Sequence, residues 1–275
     1  MTPREGTTVQ IHANNLALNA GRGPVYGPLT FDTNGGLTVL RGDPGSGRTA
    51  LLLTLAGRMR PDSGSLTVGG HHLPRQLRAV QKISSVAGFV GIDSLEESVT
   101  VGAALRERLA WLAPWWSIVR SPNDVAVARL CSPIFGNEPI PHADTVIWDL
   151  AESQQFLLRL VLATLSAPEL LLVDDIEQLR NTASRSIIWA RLADLAASGT
   201  HVVVCASSFD DQLWADLGIA PALIDINLQP ADVNPRVENP AEVNPPAVGP
   251  ALLTMAAAAS SEHLTAQSEP IKESH

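Results

Sequence analysis

Three short, continuous apolar runs organise the chain before residue 228: LTVLRG (37–42), LLLVDD (170–175) and HVVVCAS (201–207). Runs of Val and Leu without polar alternation predict strands buried on both faces, the habit of parallel sheets. Between them lie helical patterns at RTALLLTLAGRM (48–59) and at the amphipathic SRSIIWARLADLAAS (184–198). Residues 99–130, from VTVGAALRERLAWLAPWW through DVAVARL, read as a helical insert. Strands alternating with helices predict an α/β domain.

The pattern changes near Gln229. Residues 231–250 read ADVNP RVENP AEVNP PAVGP, four pentapeptides each closed by proline. Proline removes a backbone donor and fixes φ, so this stretch predicts an extended, solvated linker and no helix or central strand. ALLTMAAAAS beyond it predicts at most a short helix. The expected organisation is one domain over 1–228, with a helical subdomain at about 99–155, and a Pro/Ala-rich disordered tail over 229–275.

Composition narrows the class. With 45% hydrophobic and 17% charged residues among 275, the chain is able to bury a sizeable core, which excludes wholesale disorder. The longest apolar stretch, 156–173, is interrupted by Arg159, Pro168 and Glu169, so no membrane span is expected. The N-terminal MTPREGTTVQ lacks the apolar core of a signal peptide. Cys131 and Cys205 give no disulfide framework and suit a reducing cytoplasm. A net charge of −9 argues against a dedicated nucleic-acid binder. Lysine is confined to Lys82 and Lys272, which bears on the next motif.

Gly42, Asp43, Pro44, Gly45, Ser46, Gly47, Arg48 and Thr49 follow the first apolar run with the spacing G-x-x-x-x-G-K-[ST], arginine standing in for lysine. Glycines at this spacing let successive backbone N–H groups turn inward around a phosphate, and the following helix adds its positive N-terminal end. Thr49 offers a hydroxyl suited to Mg²⁺. Arginine keeps the charge of lysine, but its planar fork is bulkier and reaches phosphate oxygens differently.

With this loop in place, residues 7–226 resemble an ATP-binding-cassette (ABC) ATPase, the nucleotide-binding subunit of ABC transporters. RPDSGSLTVGG (60–70) is similar to the family's stretch after the loop, and DLAESQQFLLRLVLATLSAPELLLVDD (149–175) to its signature-to-Walker B block. Leu150, Ala151, Glu152, Ser153 and Gln154 stand where the family writes LSGGQ. The resemblance implies a P-loop NTPase fold of the ABC ATPase type, a mixed sheet with helices and a helical subdomain. It implies ATP and Mg²⁺ as cofactors, the metal held through Thr49 and Asp174. It places Asp175 at the general-base position, and Ser207 at that of the switch histidine. Residues 151–154 then face nucleotide bound to a second subunit, in a homodimer or a heterodimer with another ABC subunit. The expected partner is a separate membrane-spanning permease, with the chain cytoplasmic and peripheral on the inner face of the plasma membrane.

Several positions depart from the family pattern. Aspartate at 175 is one methylene shorter than the family's glutamate. The glutamine that senses the γ-phosphate would fall near Gly91 or Ile92, and neither has its chemistry. Ala151 has no hydroxyl, and Glu152 brings a negative charge toward a phosphate; the stretch 150–154 reads equally as an ordinary helix N-terminus. No aromatic ring lies near Asn19 to stack on adenine, and Tyr26 falls closer to the loop than is usual. Hydrolysis is therefore expected to be weak or absent, and a non-catalytic regulatory or scaffold protein that keeps the fold is the alternative. Trp111, Trp115 and Trp116 are expected to form the core of a small subdomain or, alternatively, a groove for the membrane partner. The pair His71-His72 is expected to be solvated in a turn.

Overall fold

The computed structural model describes residues 8–21 and 23–227. The proline-punctuated linker and the tail expected over 229–275 lie outside the described residues.

The chain opens with an antiparallel hairpin, β1 (Ile11–Ala20) and β2 (Gly23–Thr33), followed by β3 (Leu37–Arg41) and helix α1 (Arg48–Leu55). Next come β4 (Ser63–Val68), β5 (His71–Leu73), α2 (Leu77–Ile83) and β6 (Ser84–Ala87). Helices α3 (Val101–Leu112), α4 (Asp124–Phe135) and α5 (Glu152–Thr164) follow, then β7 (Leu170–Val173). A single-turn 3₁₀ helix, Ile176–Gln178, leads to α6 (Thr182–Ala197), β8 (His201–Ala206), α7 (Asp211–Leu217) and β9 (Ala222–Asp225).

The strands divide into two sheets. One is antiparallel with the order β2-β1-β4-β5; the other is parallel with the order β6-β7-β8-β3-β9. The α/β architecture expected from sequence is present: the three apolar runs form β3, β7 and β8 at the centre of the parallel sheet, while β6 and β9, its edge strands, come from SSVA and ALID, which no such run marks.

Continuous burial has a simple cause here. Every residue of β7 and β8 is buried, and alternate residues serve different cores. Leu171, Val173, Val202 and Val204 pack with Leu157, Leu160 and Val161 of α5 and with Ile188, Trp189 and Leu192 of α6. Leu170, Leu172, Val203 and Cys205 face the opposite way, toward Leu51, Leu52 and Leu55 of α1 and Ile11, Leu16, Leu66 and Val68 of the antiparallel sheet. Each fully buried Leu or Val side chain contributes roughly 1.5–3 kcal/mol of transfer free energy, so the sheet is stabilised from both sides.

His201, in β8, ties the parallel sheet to the segment that leads into β1. Its Nδ1 lies 2.7 Å from the Val9 carbonyl oxygen, and its Nε2 lies 3.4 Å from Thr38 Oγ1. Burial pushes its pKa below the ordinary histidine value, partly offset by the Val9 contact.

Strand order then determines what comes together. β7, β8 and β3 are neighbours and run parallel, so the residues after their carboxyl ends lie side by side. Those residues are Asp174, Ser207 and the glycine-rich loop from Gly42. The carboxyl edge of an open parallel sheet is where ligands of α/β proteins generally bind.

Candidate functional site

The loop 42–49 is shaped by its glycines and anchored at its base. Gly42 N–H donates to the Ala206 carbonyl at 3.0 Å, Asp43 N–H to Asn227 Oδ1 at 2.6 Å, and Ser46 N–H to the Asp43 carbonyl at 3.0 Å. Gly45 and Gly47 have φ of 87° and 81°. At Gly47 a side chain is excluded twice, since a Cβ there would lie 2.1 Å from the Val25 carbonyl oxygen. Gly47→Ala is therefore expected to destabilise the fold by at least about 2 kcal/mol, through left-handed strain and the clash. An unchanged urea-unfolding midpoint would contradict that geometry.

Helix α1 starts immediately after this glycine, with no side-chain cap and no acidic residue in its first turn. Its leading N–H groups thus have no intrahelical acceptor, and the helix dipole there is not neutralised by sequence.

Thr49 and Asp174, which the sequence pairs as metal-binding residues, are in direct contact: Thr49 Oγ1 donates to Asp174 Oδ2 at 2.5 Å. Asp174 is buried, and its other oxygen accepts the Asp175 N–H at 3.0 Å. Burial raises its pKa above the usual carboxylate value, against the lowering effects of Thr49, the Asp175 N–H and Arg48. Asp175 itself sits in the left-handed region at φ 50° and starts the 3₁₀ turn. Its pKa is raised as well, first by burial and then by the negative charge of Glu177.

Glu177 escapes any reading of motif spacing. It lies two residues beyond Asp175, yet the 3₁₀ turn brings its carboxylate back to the loop. Its Oε1 accepts the Ser207 backbone N–H in a very short contact and lies 3.6 Å from Arg48 Nη1. The Arg48 side chain is 15% exposed and that of Glu177 30%. Among the described residues, Ser46 Oγ, Arg48 Nη1 and Glu177 Oε2 are buried polar atoms without hydrogen-bond partners. Buried polar atoms are rarely left unpaired in a folded protein, so the open donors of the loop, Ser46 Oγ and Arg48 Nη1, fit an anionic guest, whereas Glu177 Oε2 is an acceptor that opposes one. Cys205 lies beneath the loop, its Sγ 3.8 Å from the Arg48 carbonyl. Full burial raises its pKa well above the thiol value, which leaves it a protonated packing residue.

The remaining candidates are placed as follows. Residues 150–154 form the entry to α5, with Ala151 at its N-cap. Gln154 Oε1 accepts the Ala151 N–H at 3.1 Å, Glu152 Oε1 accepts the Arg180 N–H at 3.3 Å, and Ser153 is half-buried in the first turn. Within the described residues no hydrogen bond or ion pair joins 151–154 to the loop 42–49. Tyr26 is fully buried and donates to Thr54 Oγ1 at 2.8 Å, so it is a core residue with no face free for a base. His71 and His72 belong to β5, and among the described residues no cluster of His, Cys, Asp or Glu is arranged to hold a metal by itself.

The tryptophans overturn one expectation. Trp111, Trp115 and Trp116 are 78%, 92% and 70% exposed, so they do not form a subdomain core. Trp115 and Trp116 follow Pro114 after the end of α3, where no element among the described residues covers them; they touch each other edge to face. Trp111 also lines a cavity of about 380 Å³ with Arg58, Leu95, Val99 and Arg108.

A sequence model of the family described as ABC transporter matches residues 28–177, more than half of the chain. The chain belongs to the ABC transporter family. Among its ABC-family relatives, the Nod factor export ATP-binding protein I of Sinorhizobium fredii is 27% identical over 209 residues, covering 73% of this chain and 56% of that protein. The ABC transporter G family member 23 of Dictyostelium discoideum is 28% identical over 172 residues, covering 62% of this chain and 23% of that protein. The chain thus spans about half the length, or less, of these curated relatives. An ATP-binding protein of an ABC transporter from Pyrococcus furiosus superposes with a TM-score of 0.60 at 13% identity, covering 79% of this chain and 97% of that one. An ATP-binding cassette crystallised in its ADP conformation gives a TM-score of 0.59 at 14% identity, over 77% and 85% of the two chains. These two likenesses establish the ABC ATPase fold. Among the described residues, no helix of this ABC-family chain is long and apolar enough to cross a membrane.

Proposed function

We propose that the chain is the ATP-binding subunit of an ABC transporter, taking ATP and Mg²⁺ at the loop 42–49 and hydrolysing ATP weakly or not at all. The observation that carries this reading is the Thr49–Asp174 contact at the mouth of a glycine-rich loop with open polar valences. Gly42 to Gly47 supply the cradle, Arg48 the positive charge, and Thr49 with Asp174 the oxygens for the metal. When bound, Mg²⁺ would neutralise phosphate charge. Asp175 and Ser207 stand beside the loop as the residues for the hydrolytic step. Ala151, Glu152, Ser153 and Gln154 are the surface offered to nucleotide on a second ABC subunit, homologous or identical.

The partner in this reading is a membrane-spanning permease, which would hold the chain at the inner face of the plasma membrane. Exposed Trp111, Trp115 and Trp116, beside the cavity lined by Arg58 and Arg108, suit contact with such a partner. The names of several relatives speak of export, and that direction is adopted here as part of the reading. The domain spans 1–228, with 99–155 as its helical part.

A second reading, a regulatory or scaffold protein that keeps the fold, is favoured by Ile92, half-exposed and apolar, where a glutamine would work. Thermal melting separates the two. Ligand at about 100 times its Kd adds roughly 2.7 kcal/mol, which raises the Tm of a domain this size by several degrees. Millimolar Mg²⁺-ATP is expected to produce such a rise; a flat response to both Mg²⁺-ATP and Mg²⁺-ADP would favour the scaffold.

A further inference from the structure

Arg48 is the sole basic side chain of the loop 42–49, and the carboxylate nearest to it belongs to Glu177, 3.6 Å away. The same carboxylate oxygen accepts the backbone N–H of Ser207. A guanidinium and a main-chain N–H converging on one anionic oxygen is the donor set that a phosphate oxygen takes. We propose that Glu177 is a built-in competitor for the phosphate position, and that nucleotide binds this loop only by displacing its carboxylate from Arg48. The inference rests on the nucleotide-binding reading above and adds the residue that limits its affinity.

Two features make Glu177 an exchangeable occupant. The pair is loose: 3.6 Å is well beyond the ~2.7–2.9 Å of a charge-assisted hydrogen bond, and both Arg48 Nη1 and Glu177 Oε2 keep an unpaired valence. The turn beneath it is held independently. Gln178 Nε2 donates to the Asp175 carbonyl at 2.9 Å, and Gln178 Oε1 accepts from Arg159 at 2.6 Å. Glu177 is therefore able to leave by rotating its own side-chain torsions between staggered wells without unfolding the turn, giving up the Ser207 N–H, which the incoming phosphate oxygen then takes over.

Charge works in the same direction. Glu177 is the carboxylate paired with Arg48, and the Arg48 charge acts also on Asp174 and Asp175, with Arg159 acting on Asp175. Three carboxylates against two guanidiniums leave an incoming polyphosphate facing an excess of negative charge in a partly buried site, where water screens it incompletely. Removing the Glu177 charge relieves both the competition and the repulsion while leaving Thr49 and Asp174 in place.

The test is calorimetric titration of the full chain with Mg²⁺-ATP, comparing the wild type with Glu177→Gln and Glu177→Ala, each first shown to melt cooperatively. The expected result is a Kd about tenfold lower for the variants, and a gain that disappears when Arg48→Ala is added. A wild type that binds while both variants bind equally or more weakly overturns the proposal alone. A gain that survives Arg48→Ala also overturns it, because the effect would not run through the arginine. Variants that bind where the wild type shows no heat support it. If no folded form binds any nucleotide, the nucleotide reading itself fails and the proposal with it.

Discussion

Purified protein given Mg²⁺ and ATP is expected to turn over well below the ~1 s⁻¹ low end of ordinary enzymes. Phosphoryl transfer depends almost wholly on positioning and on neutralising charge, and this site departs from the family pattern on both counts. Asp175, proposed above for the hydrolytic step, is one methylene shorter than the glutamate of the resemblance, and a displacement of ~1 Å is enough to cost about a hundredfold. Ser207 is engaged through its backbone N–H with Glu177, and its hydroxymethyl side chain lacks the reach and titration of an imidazole. Neither Gly91 nor Ile92, where the glutamine would fall, has a side chain able to hydrogen-bond. Arg48 holds its charge beside Glu177 at 3.6 Å. These defects act on one transition state, so their costs are not multiplied as independent factors. Restoring Arg48→Lys and Asp175→Glu together is expected to raise turnover by less than about tenfold while 207 remains serine. Phosphate release, with Asp174→Ala as the background, is the measurement. Robust turnover by the unmodified chain, abolished in Asp174→Ala, would make it an ordinary motor and contradict this account.

The largest effect on stability is expected at Trp189. It is fully buried in the core between α6 and the parallel sheet, donates its indole N–H to Asp210 Oδ2 at 2.8 Å, and stacks edge to face on Trp214 at 5.2 Å. Truncation to alanine removes the packing, opens a cavity and strips a partner from a carboxylate that Arg185 approaches only to 3.6 Å. Trp189→Ala should therefore cost about 3–5 kcal/mol, read as a large fall in the urea midpoint. Trp115→Ala, at a 92% exposed position, should stay within about 0.5 kcal/mol. Similar shifts for the two variants would contradict the assignment of one tryptophan to the core and the other to the surface.

The difference between these tryptophans marks what sequence patterning reveals. The central parallel strands are legible because β7 and β8 bury every residue, and a run such as LLLV has few other solutions. The edge strands β6 (SSVA) and β9 (ALID) are short and carry no such run, so the sequence does not mark them. The phosphate loop is legible because the demand for glycine at left-handed positions leaves a spacing in the sequence. The hairpin β1–β2 leaves a weaker mark. Its register shifts at several points, Asn15 takes a φ of 49°, and the inward–outward alternation breaks with it. The exposed tryptophans mislead because aromatic residues usually signal a core, and it is their exposure among the described residues, at and beyond the end of α3, that shows otherwise. Glu177 is not legible at all. Nothing in IEQL announces a carboxylate of the site; a left-handed Asp175 and one 3₁₀ turn carry it back to Arg48. The family's residue pattern leads to Asp175, whereas the contacts with Arg48 and Ser207 lead to Glu177.

The function proposed for this chain turns on whether the loop 42–49, with Thr49 and Asp174, binds Mg²⁺-nucleotide. Calorimetric titration of the full chain with Mg²⁺-ATP tests it most directly, alongside Asp174→Ala under the same conditions. The account predicts saturable one-site binding by the wild type, weakened at least about tenfold in Asp174→Ala because the carboxylate paired with Thr49 is gone. Equal binding by the two proteins, or none by a folded wild type at millimolar nucleotide, would contradict it.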